Sequence, residues 1–168
     1  ATHYADPGEH RQQFARFLTY AALGPIDGYT TDEFRAAFAA LPQEALEESA
    51  QLLFQALEGA GDQREDYWKN RIKPFWQNIW PKSRDLATPR IANSLAKLVI
   101  VARGEFLDAL NTVNGWLQPI EHPNYLITLL NKSDLCRKYP SDVLSLLQII
   151  IVEQRWVTPE LEKCLNDI

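Results

Sequence analysis

Tyr67-Trp-Lys-Asn-Arg-Ile-Lys-Pro-Phe-Trp-Gln-Asn-Ile-Trp-Pro-Lys82 holds three of the chain's five tryptophans and its densest run of positive charge. At helical spacing Trp68, Ile72, Phe75, Trp76 and Ile79 share one broad apolar face, while Lys69, Lys73 and Lys82 lie off it. Pro74 lacks the backbone N–H that a helix uses and disfavours helical geometry at Lys73, so a kinked or split helix is expected. Its phase turns most of the rings inward and leaves the charges outside, with Trp80 beside Pro81 as the ring expected to stay exposed. The stretch reads as the central helix joining an acidic amino-terminal half to the later helices.

Proline-opened and capped helices flank it on both sides. Upstream, Asp6-Pro7 reads as a cap with proline in the first turn, and Phe14, Phe17, Leu18 and Ala21 continue one apolar face as far as Gly24-Pro25. After the loop 26–29, Thr30 with Glu33 three residues on is a capping-box pattern, and Phe34, Ala37, Phe38 and Leu41 give that helix a buried side. Pro42 opens a third helix, with Leu46, Ala50, Leu53, Phe54 and Leu57 inward, and Gly59-Ala-Gly61 ends it.

Downstream of Pro81, Thr88-Pro89 starts a helix with the stripe Ile91, Leu95, Leu98, Val99 and Ala102, ended by Gly104. Phe106, Leu107, Leu110, Val113 and Leu117 mark the next helix. The stiff connector 119–123 leads to a short apolar piece, Tyr125 to Leu130. Pro140 opens a nearly all-apolar helix through Val152, and Thr158-Pro159 a terminal one carrying Leu161 and Leu165. The β-branched run at 149–152 also suits a buried strand, but its only candidate partner is 97–101, and a lone strand pair is poorly stable. The expected fold is therefore all-α, a single domain of about eight antiparallel helices in an irregular HEAT-like array without a clear sequence repeat. Within residues 1–168 it divides into acidic helices over 1–62, the aromatic-basic helix over 63–81 and helical pairs over 88–168.

A chain of 168 residues with 46% hydrophobic and 23% charged residues suits one globular domain, and its net charge of −5 argues against nucleic-acid binding by the chain as a whole. The charge is uneven. Residues 27–66 carry ten acids and two bases, and residues 67–103 carry eight bases and one acid, so neighbouring helices are expected to neutralise one another. Cys136 and Cys164 stand far apart without metal-like spacing, which reads as a reduced, cytoplasmic protein. No signal-peptide pattern is visible, and no apolar run approaches the roughly 20 residues that span a bilayer. The chain has no methionine, which suggests a domain excised from a larger protein.

Candidate chemistry is sparse. Nucleophilic catalysis needs a base beside a hydroxyl or thiol, and only His3, His10 and His122 are available, with no Gly-x-Ser-x-Gly turn. No cysteine, histidine or carboxylate cluster has metal-ligand spacing, so neither a catalytic residue, a cofactor nor a metal is assigned. Asn131-Lys-Ser-Asp134, after an apolar run, looks like the guanine-reading motif of GTPases, but the Gly-rich phosphate loop is missing. The plainer reading is a helix end in which Asn131 or Ser133 caps and Asp134 begins the next turn. Trp116 and Trp156 read as core or rim.

The segment 67–90 is the best candidate surface. Its rings read first as core packing, next as a protein-docking face and last as a single-stranded nucleic-acid platform, where exposed rings stack bases and cations follow the backbone. The partner-binding candidates are Lys69, Lys73, Trp80, Lys82, Arg84 and Arg90.

The runs Arg71-Ile-Lys-Pro-Phe-Trp-Gln-Asn-Ile-Trp-Pro-Lys82 and Gln118-Pro-Ile-Glu-His-Pro123 resemble an uncharacterised helical domain from the carboxy-terminal part of large multidomain bacterial proteins. Some of those proteins carry a sirtuin-like or ATPase module and have a suspected role in phage defence. The resemblance spans about residues 65–155 and implies a sensor, scaffold or oligomerisation module, with no catalytic residue carried over. The function expected is a non-catalytic interaction or regulatory domain of a larger bacterial protein.

Overall fold

The computed structural model describes residues 7–24, 30–151 and 157–168. His3, the Asp6 cap, Pro25 and the loop behind it, Val152 and Trp156 lie outside the described residues. Among the described residues there are ten helices: α1 (Pro7–Leu23), α2 (Thr31–Ala39), α3 (Gln43–Gly59), α4 (64–78), α5 (Pro89–Val101), α6 (Phe106–Val113), α7 (Asn124–Asn131), α8 (Leu135–Lys138), α9 (Pro140–Ile150) and α10 (Pro159–Asn166). Short 3₁₀ turns link several of them.

Helices start where a side chain can satisfy their first N–H groups. Thr30 Oγ1 accepts from the Glu33 N–H at 3.2 Å, and Glu33 Oε2 accepts from the Thr30 N–H at 2.7 Å, closing the expected box at the head of α2. Thr88 and Thr158 accept from the N–H groups of Ile91 and Leu161, with Pro89 and Pro159 in the first turns of α5 and α10. The Glu33 carboxyl is held below its ordinary pKa by the Thr30 backbone N–H and then by the Thr30 hydroxyl. A depressed folded-state pKa contributes stability above the unfolded carboxyl range, and that contribution is lost as pH falls through the folded value. Replacing Thr30 with Ala is expected to lower stability by about 1 kcal/mol in urea denaturation at neutral pH.

The central helix is split, by a change of winding. Arg64–Tyr67 and Lys73–Asn78 are α-helical, whereas Trp68–Ile72 is a π turn in which the Lys73 N–H donates to the Trp68 carbonyl five residues back. Pro74 has no N–H to offer, and in an α-helix its ring would press on the carbonyl of Asn70. The wider turn relieves that crowding while keeping Trp68, Ile72, Phe75 and Trp76 all buried.

Packing around this helix is continuous from Ala15 to Cys164. α1 lies on α3, α3 on α5, α5 on α6 and α7, and α10 on α7. The seam between α1 and α3 is made of small side chains. Ala15, Thr19, Ala45 and Ser49 are all buried, and the Thr19 hydroxyl donates to Ser49 Oγ at 2.9 Å. Phe14 and Phe17, expected on the inner side of α1, are instead 53% and 64% exposed. Leu18 and Ala21 are buried as expected. Small residues win the seam because they let two backbones approach, and the large rings are left outside.

The expected helix opened by Pro140 holds against its strand alternative, and one further expectation, the end of α5, is corrected. The strand alternative at 146–152 gives way to α9, which runs to Ile150, while 97–101 lies within α5; the only extended pairing among the described residues is one parallel bridge, Ile120 to Ile151. α5 ends at Val101, before Gly104, and Arg103 is the residue that takes the left-handed backbone, at φ 54°. Gly104 follows within the short turn, close to the carboxylate of exposed Glu65. The four-residue helix α8 was not anticipated. Among the described residues no helix is long and apolar enough to cross a membrane.

Candidate functional site

The aromatic side of the opening segment belongs to the core. Trp76 and Trp80 stack with centroids 4.8 Å apart and planes 15° from parallel, and Trp116 meets both rings edge-on at 5.8 and 5.5 Å. Phe75 joins from the other side, edge-on to Phe38 at 5.1 Å. Trp80, expected to be the exposed ring, is only 1% exposed. It lies past the end of α4, where helical phase no longer applies, and its N–H turns back to the Phe75 carbonyl at 3.1 Å. Trp80 is thus unavailable as a contact residue in this conformation. The base-stacking platform fails on the same ground, because Trp68, Trp76 and Trp80 have no open ring face.

The cations of the segment are largely spent on internal tasks. Lys69 pairs with Glu105 at 2.8 Å, and Lys73 with Asp108 at 2.7 Å. Asp108 also accepts the buried Trp68 Nε1–H at 2.7 Å. Burial raises the pKa of Asp108, but the hydrogen bonds from Lys73 and Trp68 outweigh it and leave the carboxyl below its ordinary value. Lys82 Nζ donates to the Gln77 carbonyl at 2.6 Å, and Arg35 Nε to the Asn78 carbonyl at 2.8 Å, so two cations close the carbonyl end of α4. Arg84 lies against Gly115, where a Cβ would come within 2.7 Å of the guanidinium. Arg90 is exposed and reaches Glu47 at 3.5 Å. Of the six candidates only Lys73 and Lys82 line one shallow surface groove together, and the others point to separate neighbours. Neutralisation across the charge blocks occurs at Arg90–Glu47, whereas Lys69 and Lys73 find their acids on or beside α6.

The most open apolar surface is the outer side of α1. Phe14, Phe17 and Tyr20 follow one another at one-turn spacing and are 53, 64 and 52% exposed. Half-buried Tyr67 adjoins this stripe: burial raises its phenol pKa, Arg71 lowers it and Tyr20 raises it further. Arg11 and Arg71 are exposed, and neither makes an ion pair among the described residues. No acid occurs between His10 and Gly24. Phe14 also lines an open apolar hollow with His10, Arg11, Ala40, Leu41 and Pro42. A patch of large rings with exposed guanidinium groups near it, unpaired among the described residues, is the composition of a contact surface.

A second concavity, of about 490 Å³, lies where α3, α5 and α7 end and is lined by Arg64, Arg103, Lys132 and Lys138 together with Glu58, Glu65 and Asp134. Arg64 donates through Nε and Nη2 to the Glu58 carbonyl, and burial followed by the nearby Arg103 lowers its pKa. Three helix carboxyl ends and three acids border these cations, but among the described residues only Arg64 makes a side-chain hydrogen bond and none of the four makes an ion pair. The GTPase-like run sits on its rim. Asn131 Nδ2 donates to the Glu160 carbonyl at 2.8 Å and Ser133 Oγ to the Leu130 carbonyl at 2.8 Å, while Asp134 precedes α8. Ser133 makes the contact of a helix end, whereas Asn131, expected as a possible cap, instead ties α7 to α10. His10 and His122 are both exposed, and no group of three His, Cys, Asp or Glu side chains among the described residues is placed to hold a metal ion.

The two cysteines are a pairing that sequence spacing did not signal. Cys136 Sγ and Cys164 Sγ lie 3.4 Å apart in the core, as free thiols. No protein-family model, curated protein or solved structure matches the chain.

Proposed function

We propose that this chain is a non-catalytic protein-docking domain that uses the outer side of α1, with Phe14, Phe17 and Tyr20 as anchors and Tyr67 and Arg71 at the edge. The carrying observation is the exposure of three consecutive rings on one helix, in a chain that buries every described tryptophan. Its occupant is an amphipathic protein segment bearing aliphatic side chains and acidic residues, which would meet the rings and the exposed Arg11 and Arg71. The helices behind the patch act as a HEAT-like scaffold that holds α1 through its small-residue seam. Resemblance to a helical domain of multidomain bacterial proteins supports a regulatory or scaffolding role beside other modules.

A displayed library of helical peptides tests this reading. Peptides that bind the wild type but not the Phe17→Glu, Tyr20→Glu chain are expected to be enriched in acids flanking an aliphatic stripe. Phe17→Ala should weaken them by roughly 30-fold or more, as truncation of a central anchor does. Arg71→Glu should weaken them less and steepen the loss at low salt. Peptides that bind wild type and variant equally, or that lack acids, would overturn the assignment. So would a concentration-dependent dimer broken by Phe17→Glu, since the occupant would then be a second copy.

A further inference from the structure

We propose that Cys136 and Cys164 form a redox pair, in which a low-molecular-weight disulfide oxidises the two thiols to an internal bridge that locks α10 onto α8. The thiols are 28 positions apart in sequence, yet their sulfurs stand 3.4 Å from each other. A disulfide needs about 2.05 Å, so the sulfurs must close by on the order of 1.4 Å. Both side chains are buried, Cys136 at 3% exposure and Cys164 at none. Metal ligation is not their purpose, because no third ligand-type side chain joins them among the described residues.

α10 is lightly held, and this gives the pair something to control. Leu161 and Cys164 are its only buried side chains, and Glu160, Glu162, Lys163, Leu165 and Asn166 face solvent. The Asn131 amide on the Glu160 carbonyl adds one hydrogen bond. In the closed state the thiols are protected. Burial pushes the Cys164 thiol up to about 12, with Cys136 and Asp167 reinforcing the shift, so almost no thiolate exists near neutral pH. Oxidation therefore proceeds through opening of α10, which brings both buried sulfurs into reach of solvent and lets Cys164 regain an ordinary acidity.

The steps balance. The Cys164 thiolate attacks one sulfur of the small disulfide, breaks its S–S bond and releases one thiolate, which takes up the proton that Cys164 lost. While α10 is still open, the Cys136 thiolate attacks Cys164 Sγ and expels the second small thiolate into solvent, where it takes up the proton from Cys136, and the bridged helix then closes. The pair loses two electrons and the small disulfide gains them.

Incubating the full chain with glutathione disulfide tests this. The expected product has lost two hydrogens in mass, carries no glutathione and yields a Cys136–Cys164 cross-linked peptide. Its formation should quicken in sub-denaturing urea. Its thermal midpoint should rise by roughly 5–10 °C, and amide protection over 159–166 should increase. Dithiothreitol should reverse all of these in the same sample, so no variant's folding enters the comparison. Cys136→Ser should instead stop at a glutathione adduct on Cys164, without the rise. Stable adducts on both cysteines of the wild type, or no reaction even in urea, would overturn the redox pair. A bridge that leaves the protection of 159–166 unchanged would overturn the latch.

Discussion

Trp80→Ala is expected to be the most damaging single substitution, at about 3–5 kcal/mol, the usual cost of removing a large ring from a packed interior. Domains of this kind have only roughly 5–15 kcal/mol in total, so the loss is a large fraction of stability. The ring closes a stack with Trp76 and takes the edge of Trp116, so its removal strips both neighbours of a packing face. Trp80→Phe should cost less than half as much. It keeps a ring in the slot and removes an indole N–H that finds no acceptor among the described residues. Arg84→Glu, four residues further along but exposed, should stay within about 0.5 kcal/mol. Urea denaturation followed by circular dichroism measures all three. A cost for Trp80→Ala below about 1 kcal/mol would return that ring to the surface.

Asp108→Ala comes second, at roughly 2–3 kcal/mol, because it strips the buried Trp68 Nε1–H of its acceptor and Lys73 of its counter-ion together. Asp108→Asn keeps an acceptor for the indole and is expected to lose about half of that. Lys73→Met leaves the indole bond intact and should be milder still. The pH dependence carries a sign. The folded-state carboxyl lies below its ordinary pKa, so its contribution is present above the unfolded value of about 3.9 and fades as pH falls through the folded one. The gap between wild type and Asp108→Asn should therefore shrink in acid. A gap that stays constant from neutral pH down to acid would show that the carboxylate's charge plays no part.

Much of the fold was legible because helix starts are local chemistry. Thr30, Thr88 and Thr158 each sit three residues before the N–H they cap, and a threonine at that spacing can be read without knowing the rest of the chain. The all-helical class and the burial of Trp68, Phe75 and Trp76 follow from the same short-range periodicity. The errors begin where the deciding contact is distant. Trp80 stands beyond Asn78, so extending the helical phase to it assigned the wrong side. Phe14 and Phe17 were placed inward by hydrophobicity, but the seam with α3 selects for size, and Ala15 and Thr19 occupy it. The candidate lysines looked free because their acids, Glu105 and Asp108, lie some 35 residues further on. The cysteine pair had no signal at all, since nothing in linear spacing announces that α8 and α10 meet.

The π turn at Trp68–Ile72 and Pro74 amount to a single unit of chain length. A π turn holds one residue more than the α turn it replaces, so deleting exposed Asn70 alone would let an ordinary helix close while the tryptophans kept their azimuth. The proline blocks that route, because its ring would then fall on the carbonyl now four residues behind it. Losing the extra residue while keeping the proline therefore carries the cost of a proline inside an α-helix, which makes single-residue shortening unfavourable at the point where the aromatic face begins.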